Sequence, residues 1–295
     1  MHINRLPTQS IRPFDLIKVA SMFCLVSSWA NAATLAHWRF EDTAFLDDSS
    51  GGGHTLGVVG TSPTQVTPLP SSGNGSAFSN PIPQSGASNT GLADLGTSIA
   101  GNFTVADDGW MDSIGTNGTF TLEAYVNLED LSNINPWIVS QYEYTDADER
   151  SFAFGVSRDD GGLRAIIAGN TDGSDRTTFE SSLNLAFNRD YYVALTYDSS
   201  NITFYLQDLT NGGALQSENV AHSQSLTGSA ANVAVGGWDG TKGPDERWRG
   251  LIDEVRISDT VLSSSEFLVA VPESSSFVLM LGGFSLCIAA LRRRS

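Results

Sequence analysis

Cysteine is almost absent from this sequence. The chain has 295 residues and two cysteines, Cys24 and Cys287, and both lie in the apolar segments near its ends. The part between those segments therefore cannot form an internal disulfide, which is the usual compensation for a small core in a secreted domain. We expect packing or a bound metal to hold that part together.

Positive charge is also scarce. The chain carries 16 Lys and Arg residues against 33 Asp and Glu, which gives a net charge of −17. Lys242 is the one lysine after Lys18. Such an acidic surface repels phosphate, which argues against nucleic acid or anionic lipid as a partner. Many of the carboxylates lie in polar loops, where they are compatible with divalent cations.

Long apolar runs are confined to the two ends. At the N-terminus, Arg5, Arg12 and Lys18 precede a mostly apolar stretch that closes in Ala-Asn-Ala at 30–32. This order of basic region, apolar region and small-residue site is typical of a secretory signal peptide. We predict a signal peptide over 1–32 with cleavage after Ala32; the alternative is a buried N-terminal helix.

The second apolar run, 277–291, has 15 residues and is interrupted by Gly282 and Gly283. A helix needs roughly 17 to 25 residues to cross a bilayer, so this segment is of marginal length. The three residues Arg292, Arg293 and Arg294 behind it favour retention on the cytoplasmic side, with the preceding chain outside.

Between the ends, the sequence is dominated by strand and turn patterns. Alternation is strict in Phe120–Leu128, where every second residue is apolar, which predicts a half-buried strand. Similar strands are predicted at 35–40, 137–142, 151–157, 163–168, 191–197, 202–207, 233–237 and 248–257. Turn residues at 159–162 and 198–201 predict hairpins, and hence antiparallel pairing.

Two regions fit this pattern less well. Residues 49–119 are rich in Gly, Ser, Thr, Asn and Pro, and we interpret them as long loops and short edge strands of one sandwich, with an interdomain linker as the alternative. A capping box at 263–266 predicts a helical turn after the last strand. The strands and turns together predict an all-β fold, a two-sheet antiparallel sandwich.

Three stretches of the middle region resemble laminin-G-like, concanavalin A-like jelly-roll domains. They are the opening LAHWRFED with DDSSGGGH, the strand TFTLEAYVN, and the closing GLIDEVRIS followed by TVLS, and they occur in the family's order. The resemblance implies a jelly-roll domain over 33–270, flanked by an N-terminal signal helix and a C-terminal transmembrane helix.

The C-terminal segment 271–295 resembles the PEP-CTERM sorting signal of bacteria that make exopolysaccharide. It has Val-Pro-Glu at 271–273, a short membrane segment and a basic end, although Ser274 stands where the family usually has a second proline. The resemblance implies export, transient tethering in the inner membrane and cutting near Pro272 and Glu273 by an exosortase. The mature protein is then expected at the cell surface or outside the cell.

Catalytic patterns are missing from the sequence. A sandwich glycosidase needs two carboxylates on one face, but Asp253 and Glu254 are adjacent and are expected to point to opposite faces. Asp146 and Asp148 have the right spacing but fall in a predicted turn. No nucleophile, zinc or phosphate-binding motif occurs. We therefore predict a protein without catalytic activity, and a glycoside hydrolase or lyase remains an alternative.

Calcium is the metal that the resemblance implies. In jelly-roll domains of this family a structural Ca²⁺ often lies between the loop after the first strand and the last strand. Carried over by position, its ligands are Asp48, the carbonyls around Gly51 and Gly53, and Asp253, a set of oxygens that suits Ca²⁺. The alternative is that Asp48 forms an Asx-turn and Asp253 hydrogen-bonds to neighbouring backbone.

Aromatic side chains are the usual partners of sugar rings, and four tryptophans lie near predicted strand ends or loops: Trp110, Trp137, Trp238 and Trp248. Trp38 alternates with core positions and is predicted to be buried. Trp238, beside Asp239, is the best candidate for an exposed sugar-binding platform. The sequence therefore favours an exported matrix protein that binds polysaccharide, with a structural or adhesive component without a sugar site as the first alternative.

Overall fold

The computed structural model describes residues 34–41, 44–60, 64–66, 77–80, 102–131, 135–143, 149–170, 174–238 and 246–270. The predicted signal peptide and sorting segment lie outside these residues, and so do the following predicted site residues: Ala32, Asp239, Pro272, Glu273, Arg292, Arg293 and Arg294. In the part of the chain that is described, no helix is long and apolar enough to cross a membrane.

The described strands form two antiparallel sheets, as the hairpin signals predicted. The eight-stranded sheet has the order β13-β12-β11-β6-β15-β4-β3, with β1 also paired to β15. Its strands are β1 (Thr34–Trp38), β3 (Thr64–Val66), β4 (Ala77–Asn80), β6 (Phe120–Leu128), β11 (Asp190–Tyr197), β12 (Asn201–Asp208), β13 (Gln216–Ala221) and β15 (Gly250–Ser258).

The seven-stranded sheet has the order β10-β9-β8-β7-β14-β5-β2. Its strands are β2 (Gly57–Val59), β5 (Asn102–Val105), β7 (Trp137–Tyr142), β8 (Arg150–Val156), β9 (Gly162–Ala168), β10 (Arg176–Asn184) and β14 (Val233–Val235). The two sheets form a jelly-roll sandwich, which confirms the predicted fold class.

The main core lies between the sheets and contains side chains from both. Leu122 and Val193 come from the eight-stranded sheet, and Phe152, Phe154 and Val235 come from the seven-stranded sheet; all five are fully buried. Trp38 also belongs to this core, as predicted. Strand alternation explains which side chains enter the core, because every second side chain of a strand points to the same face of the sheet.

Strand β6 differs from its prediction in one respect. Its apolar positions face the main core as expected, but Glu123 and Tyr125 on its other face are buried as well, so the strand is not half-exposed. The closing segment 262–269 covers that face, where Leu262 and Phe267 pack against Tyr125 and Tyr192. The sheet is therefore covered on both sides at this point.

Several elements were not predicted. A short helix, α1 (Asp112–Asn117), lies in the Gly- and Ser-rich region, and β10 and β13 are strands of mostly polar sequence. Residues 49–119 contribute edge strands to both sheets, as predicted: β2 and β3 lie at the sheet ends. Half of the predicted capping box forms: the Glu266 carboxylate accepts from the NH and the hydroxyl of Ser263, while the Glu266 NH donates to the Ser263 carbonyl and closes a single turn.

Candidate functional site

An aromatic cluster lies on the outer face of the seven-stranded sheet. Trp137 begins β7, Tyr142 ends it, and Trp238 follows the neighbouring β14; the Trp238 ring centroid is 4.8 Å from Trp137 and 4.6 Å from Tyr142. Ala153 packs with them and stands between Phe152 and Phe154, which face the core, so the cluster is on the opposite face of the sheet.

Three arginines from the adjoining strands contact this cluster. The Arg164 guanidinium lies 5.7 Å from the centre of the Trp137 ring, and that of Arg150 lies 5.4 Å from the Tyr142 ring. Arg176 donates a hydrogen bond of 2.7 Å to the Tyr142 hydroxyl. Guanidinium groups over aromatic rings are held by the ring quadrupole. The three rings are themselves buried, so this face offers guanidinium donors suited to carboxylates and hydroxyls rather than open aromatic surface.

Carboxylates border the same face. Glu246 accepts a hydrogen bond of 2.9 Å from the indole of Trp137, and Glu180 lies 3.7 Å from the Nε of Arg164. Glu180 is exposed, so its attraction to Arg164 is weakened by solvent. The mixture of acceptors and donors around aromatic rings is the chemistry that sugar-binding surfaces use.

Arg247 lies next to the aromatic cluster. It forms a bridge with the backbone of Trp137 and is 5% exposed, and among the described residues its Nη1 has no hydrogen-bond partner. Burial lowers the pKa of this guanidinium below its ordinary value. Beside it, the Nδ2 of Asn102 donates a hydrogen bond of 2.8 Å to the carbonyl of Trp238. The Oδ1 of Asn102 has no hydrogen-bond partner in the described part of the chain.

The prediction that Trp238 is an exposed platform is wrong. The side chain is 5% exposed, because its ring packs between Trp137 and Tyr142. Trp137 and Trp248 are buried too, and Trp110 is half-buried with its ring stacked 4.0 Å from that of His54. Asp239, the predicted neighbour in a sugar site, lies outside the described residues.

The loop after β1 is organised by Asp48. Its Oδ1 accepts hydrogen bonds from the backbone NH of His37 at 2.9 Å and Ser50 at 2.8 Å, and its Oδ2 accepts from the Ser50 hydroxyl at 2.8 Å and the His54 NH at 3.3 Å. Burial acts to raise the pKa of Asp48, but these hydrogen bonds outweigh it and leave the pKa below its ordinary value.

The predicted calcium ligands are placed as follows. Both oxygens of Asp48 are engaged by donors of its own loop, and Asp253 is fully buried with its Oδ1 accepting from the NH of Glu254 at 2.9 Å. Gly51 and Gly53 have φ of 93° and 81°, a backbone conformation that favours glycine irrespective of any metal. No group of three potential metal-ligating side chains occurs among the described residues. Calcium at this loop stays a prediction.

The buried carboxylates of the eight-stranded sheet are occupied by internal donors. Glu254, at a bulge with φ of 52°, contacts His37 at 2.5 Å and Arg39 at 3.2 Å. Glu123 is bound by Tyr192, Arg256 and the closing segment. Asp146 and Asp148 lie outside the described residues. The carboxylates of Glu254 and Glu123 therefore hold elements of the fold together.

The arginines and Asn102 were missed by sequence reasoning. Arg164 alternates with Leu163 and Ala165, which marks it as outward-facing. Its proximity to Trp137 depends on the pairing of β9 with β8 and of β8 with β7. The sequence of a single strand does not determine this register. The outward-facing residues could therefore be identified, but which of them lie close together could not be predicted.

The comparisons with known proteins support this fold. The family model described as Laminin_G_3, the concanavalin A-like lectin/glucanases superfamily, matches residues 98–267. A comparison with curated proteins gave no match.

Solved structures of low sequence identity share the architecture. One is domain 4 of AbnA, a GH43 extracellular arabinanase from Geobacillus stearothermophilus, in complex with arabinotriose: 15% identity, TM-score 0.51, covering 81% of this chain and 97% of that one. Another is the binding domain of botulinum neurotoxin DC in complex with rat synaptotagmin II: 13% identity, TM-score 0.54, covering 81% and 51%.

A third structure is that of botulinum neurotoxin type C, described by its dependence on two ganglioside molecules for cell entry: 12% identity, TM-score 0.53, covering 81% of this chain and 51% of that one. The chain thus spans about half of each toxin fragment. At these identities the likeness concerns the fold and not the ligand.

Proposed function

The chain belongs to the concanavalin A-like lectin/glucanases superfamily, and we propose that it is an exported, non-catalytic protein that binds polysaccharide at the cell surface or in the extracellular matrix. The observation that carries this proposal is the aromatic cluster of Trp137, Tyr142 and Trp238 with Arg150, Arg164 and Arg176 set against it. The rings are buried and hold these side chains in place, and the charged groups around them offer donors and acceptors for sugar hydroxyls. The arabinanase domain, whose structure was solved in complex with arabinotriose, shows that a similar fold is used with a sugar ligand in another protein.

The route to the outside rests on the two ends of the sequence. The proposed signal peptide directs export, and the proposed sorting signal tethers the chain in the inner membrane until an exosortase-type enzyme cuts near Pro272 and Glu273. Polysaccharide produced by the same cell is the proposed ligand, because the sorting signal resembles those of bacteria that make exopolysaccharide. The net charge of −17 argues against nucleic acid, which is held chiefly through phosphates along its whole length.

Two alternatives remain tied to observations. A structural or adhesive role without a sugar site is favoured by the toxin binding domain that was solved with a protein partner. A glycoside hydrolase or lyase is favoured by the fold, which the superfamily shares with glucanases, and by Glu129, whose carboxyl pKa is raised by burial as a general acid requires.

The test is calorimetry of the full-length protein against the exopolysaccharide of its own producing organism. We expect saturable heat that is lost in the double variant Arg164→Ala with Arg176→Ala, because these side chains border the cluster without filling the core. The matched control is Arg189→Ala, which removes an arginine paired with Asp208 on the other sheet. No heat with the parent protein would overturn the proposal for that polymer.

The same samples decide the catalytic alternative. After prolonged incubation with the polymer, we expect no reducing ends and no unsaturated sugar products. Release of either product by the parent protein, abolished in Glu129→Gln, would replace the binding function with a hydrolase or lyase.

A further inference from the structure

Two buried polar atoms without hydrogen-bond partners among the described residues lie beside the two tryptophans of the aromatic cluster. They are Nη1 of Arg247 and Oδ1 of Asn102. Arg247 bridges to Trp137, and Asn102 binds the carbonyl of Trp238. Buried polar groups are normally paired, so two neighbouring side chains with unpaired atoms require an explanation.

Arg247 and Asn102 meet at Gly237. A Cβ at that position would lie 3.2 Å from the Cγ of Arg247 and 3.2 Å from the Cβ of Asn102, so glycine leaves the room that both side chains use. The orientation of the Asn102 amide is fixed, because its neighbour is a carbonyl, which can accept but not donate. The NH₂ group must therefore face Trp238, and the oxygen must face away from it.

The energetics argue against a purely structural role for Arg247. A buried guanidinium without an anion loses its hydration and gains little in return, so an apolar side chain of similar size would stabilise the fold more. Arg247 forms no ion pair with a described residue, whereas Arg249, two positions later, is paired with Asp130 at 2.7 Å. The sequence thus keeps a cation where the fold alone does not use it.

We propose that this site recognises the carboxylate of a uronic acid residue, so that the polysaccharide bound by this protein is an acidic one. The unpaired donor of Arg247 matches a carboxylate, and the unpaired acceptor of Asn102 matches a sugar hydroxyl. A neutral sugar supplies the hydroxyl but leaves the guanidinium uncompensated, and a simple anion supplies the charge but leaves Asn102 unpaired. A uronate residue satisfies both.

This inference rests on the proposed function and refines it. Binding is expected to change the intrinsic tryptophan fluorescence, since Arg247 bridges to Trp137 and Asn102 binds the carbonyl of Trp238.

The experiment compares three probes on the full-length protein by calorimetry and tryptophan fluorescence: trigalacturonate, its fully methyl-esterified form, and acetate at the same carboxylate concentration. We expect trigalacturonate to bind at least about tenfold more tightly than the ester, since a charged hydrogen bond is lost in the ester. We expect acetate to bind weakly, because it has no hydroxyl for Asn102. Equal affinity for acid and ester, or for acetate and trigalacturonate, overturns the uronate assignment.

Substitution of Arg247 separates a ligand site from a structural role. We expect Arg247→Met to lose the preference for trigalacturonate and to raise Tm, because the variant removes an unpaired buried cation. Arg189→Met, at an exposed arginine of the other sheet, is expected to change neither. Arg247→Met with an unchanged preference for the acid contradicts the proposal.

Arg247→Lys covers the case in which the methionine variant does not fold. It keeps the charge but not the guanidinium geometry, so we expect trigalacturonate to bind about tenfold more weakly while still exceeding the ester. An unchanged affinity in Arg247→Lys counts against the site. If the protein binds exopolysaccharide but shows no preference for acid, this inference fails and the proposed function stands; if it binds no polysaccharide at all, both fail.

Discussion

The hydroxyl of Tyr192 donates a hydrogen bond of 2.6 Å to the carboxylate of Glu123, and both side chains are buried beneath the closing segment of the chain. The same carboxylate accepts from the backbone NH of Leu268 at 2.8 Å and from Arg256 at 2.5 Å. One buried charge on β6 therefore holds β11, β15 and the closing segment together. It is the polar counterpart of the small apolar cluster around Phe267.

We expect Glu123→Gln to lower the free energy of unfolding by about 3 to 5 kcal/mol, because it leaves the Arg256 guanidinium without its buried partner. Urea denaturation at neutral pH measures this change. The control is Arg158→Gln, which removes an exposed pair with Asp159 and is expected to cost about 0.5 kcal/mol or less. A loss in Glu123→Gln as small as in the control would contradict the role assigned to this carboxylate.

The same contact predicts a loss of stability in alkali. Burial first, and then the charge and hydrogen bond of Glu123, raise the pKa of Tyr192 well above its ordinary value of 10.0. Above the ordinary value, the unfolded chain releases the phenolic proton of Tyr192 while the folded chain retains it. The free energy of unfolding therefore falls as the pH rises. We expect Tyr192→Phe to be less stable at neutral pH but to lose less stability above about pH 10.

Tyr197 provides a comparison for this titration. Burial, followed by the charge of Asp198, raises its pKa to about 12, and its hydroxyl donates to the carbonyl of Gln224 at 2.7 Å. Tyr197→Phe should therefore remove a separate part of the alkaline loss, and the double variant should remove both. An alkaline profile identical in the parent and in Tyr192→Phe would contradict the assignment.

Asp48 predicts the opposite dependence at low pH. Its pKa is depressed in the folded state, so the unfolded chain binds a proton first as pH falls below the ordinary value of 3.8, and stability decreases. Asp48→Asn should be less stable at neutral pH and should show less of this acid loss. Unfolding free energies measured from about pH 5 to pH 2.5 provide the test.

Calcium can be decided on the same variant. If Asp48 holds Ca²⁺, then Tm of the parent rises with calcium and falls with chelator. The free energy of unfolding should increase by about 2.7 kcal/mol at a calcium concentration one hundred times Kd. Asp48→Asn and Asp253→Asn should then both lose the response. A Tm that is the same in calcium and in chelator contradicts the predicted metal and leaves the hydrogen bonds of the Asp48 loop as the full account of this residue.

Trp238 was predicted to be exposed and is buried, which changes what its substitution should do. We expect Trp238→Ala to cost about 3 to 5 kcal/mol of stability, because it leaves a cavity between Trp137 and Tyr142. The control is Phe187→Ala at a side chain that is 49% exposed, where the change should stay within about 0.5 kcal/mol. A stable Trp238→Ala protein would mean that the ring is not part of a packed cluster.

Strand alternation made much of the fold predictable. The bounds of β6, β7, β11 and β12 agree with their apolar periodicity to within one residue. Strand β10 was missed because it lies at the edge of its sheet and is solvated on one side, so Arg, Thr, Glu and Ser replace the apolar residues that mark a strand.

The site was less predictable than the fold. The chain order places Trp238 a hundred residues after Trp137, and only the pairing of β14 with β7 brings the two rings within 4.8 Å. The same pairing buries Trp238, so a residue that looks exposed beside a loop becomes part of a cluster. Asp48, by contrast, forms the Asx-turn that the sequence offered as the alternative to a calcium site, and this turn was readable because its partners are local in sequence.

The proposed route to the cell surface yields the last prediction. In the producing organism, the parent protein should lose both its first 32 residues and the segment after Pro272, and it should be found outside the inner membrane. Replacing Pro272 and Glu273 by alanine should block the second cut and leave the protein in the inner-membrane fraction, because the segment 277–291 and the three arginines behind it then stay attached. Mass spectrometry of the two fractions measures the termini directly.

If the double variant is released with the same C-terminus as the parent, this segment does not act as a sorting signal. If the variant is retained in the inner membrane, loss of exopolysaccharide binding at the cell surface should follow without any change in the folded domain.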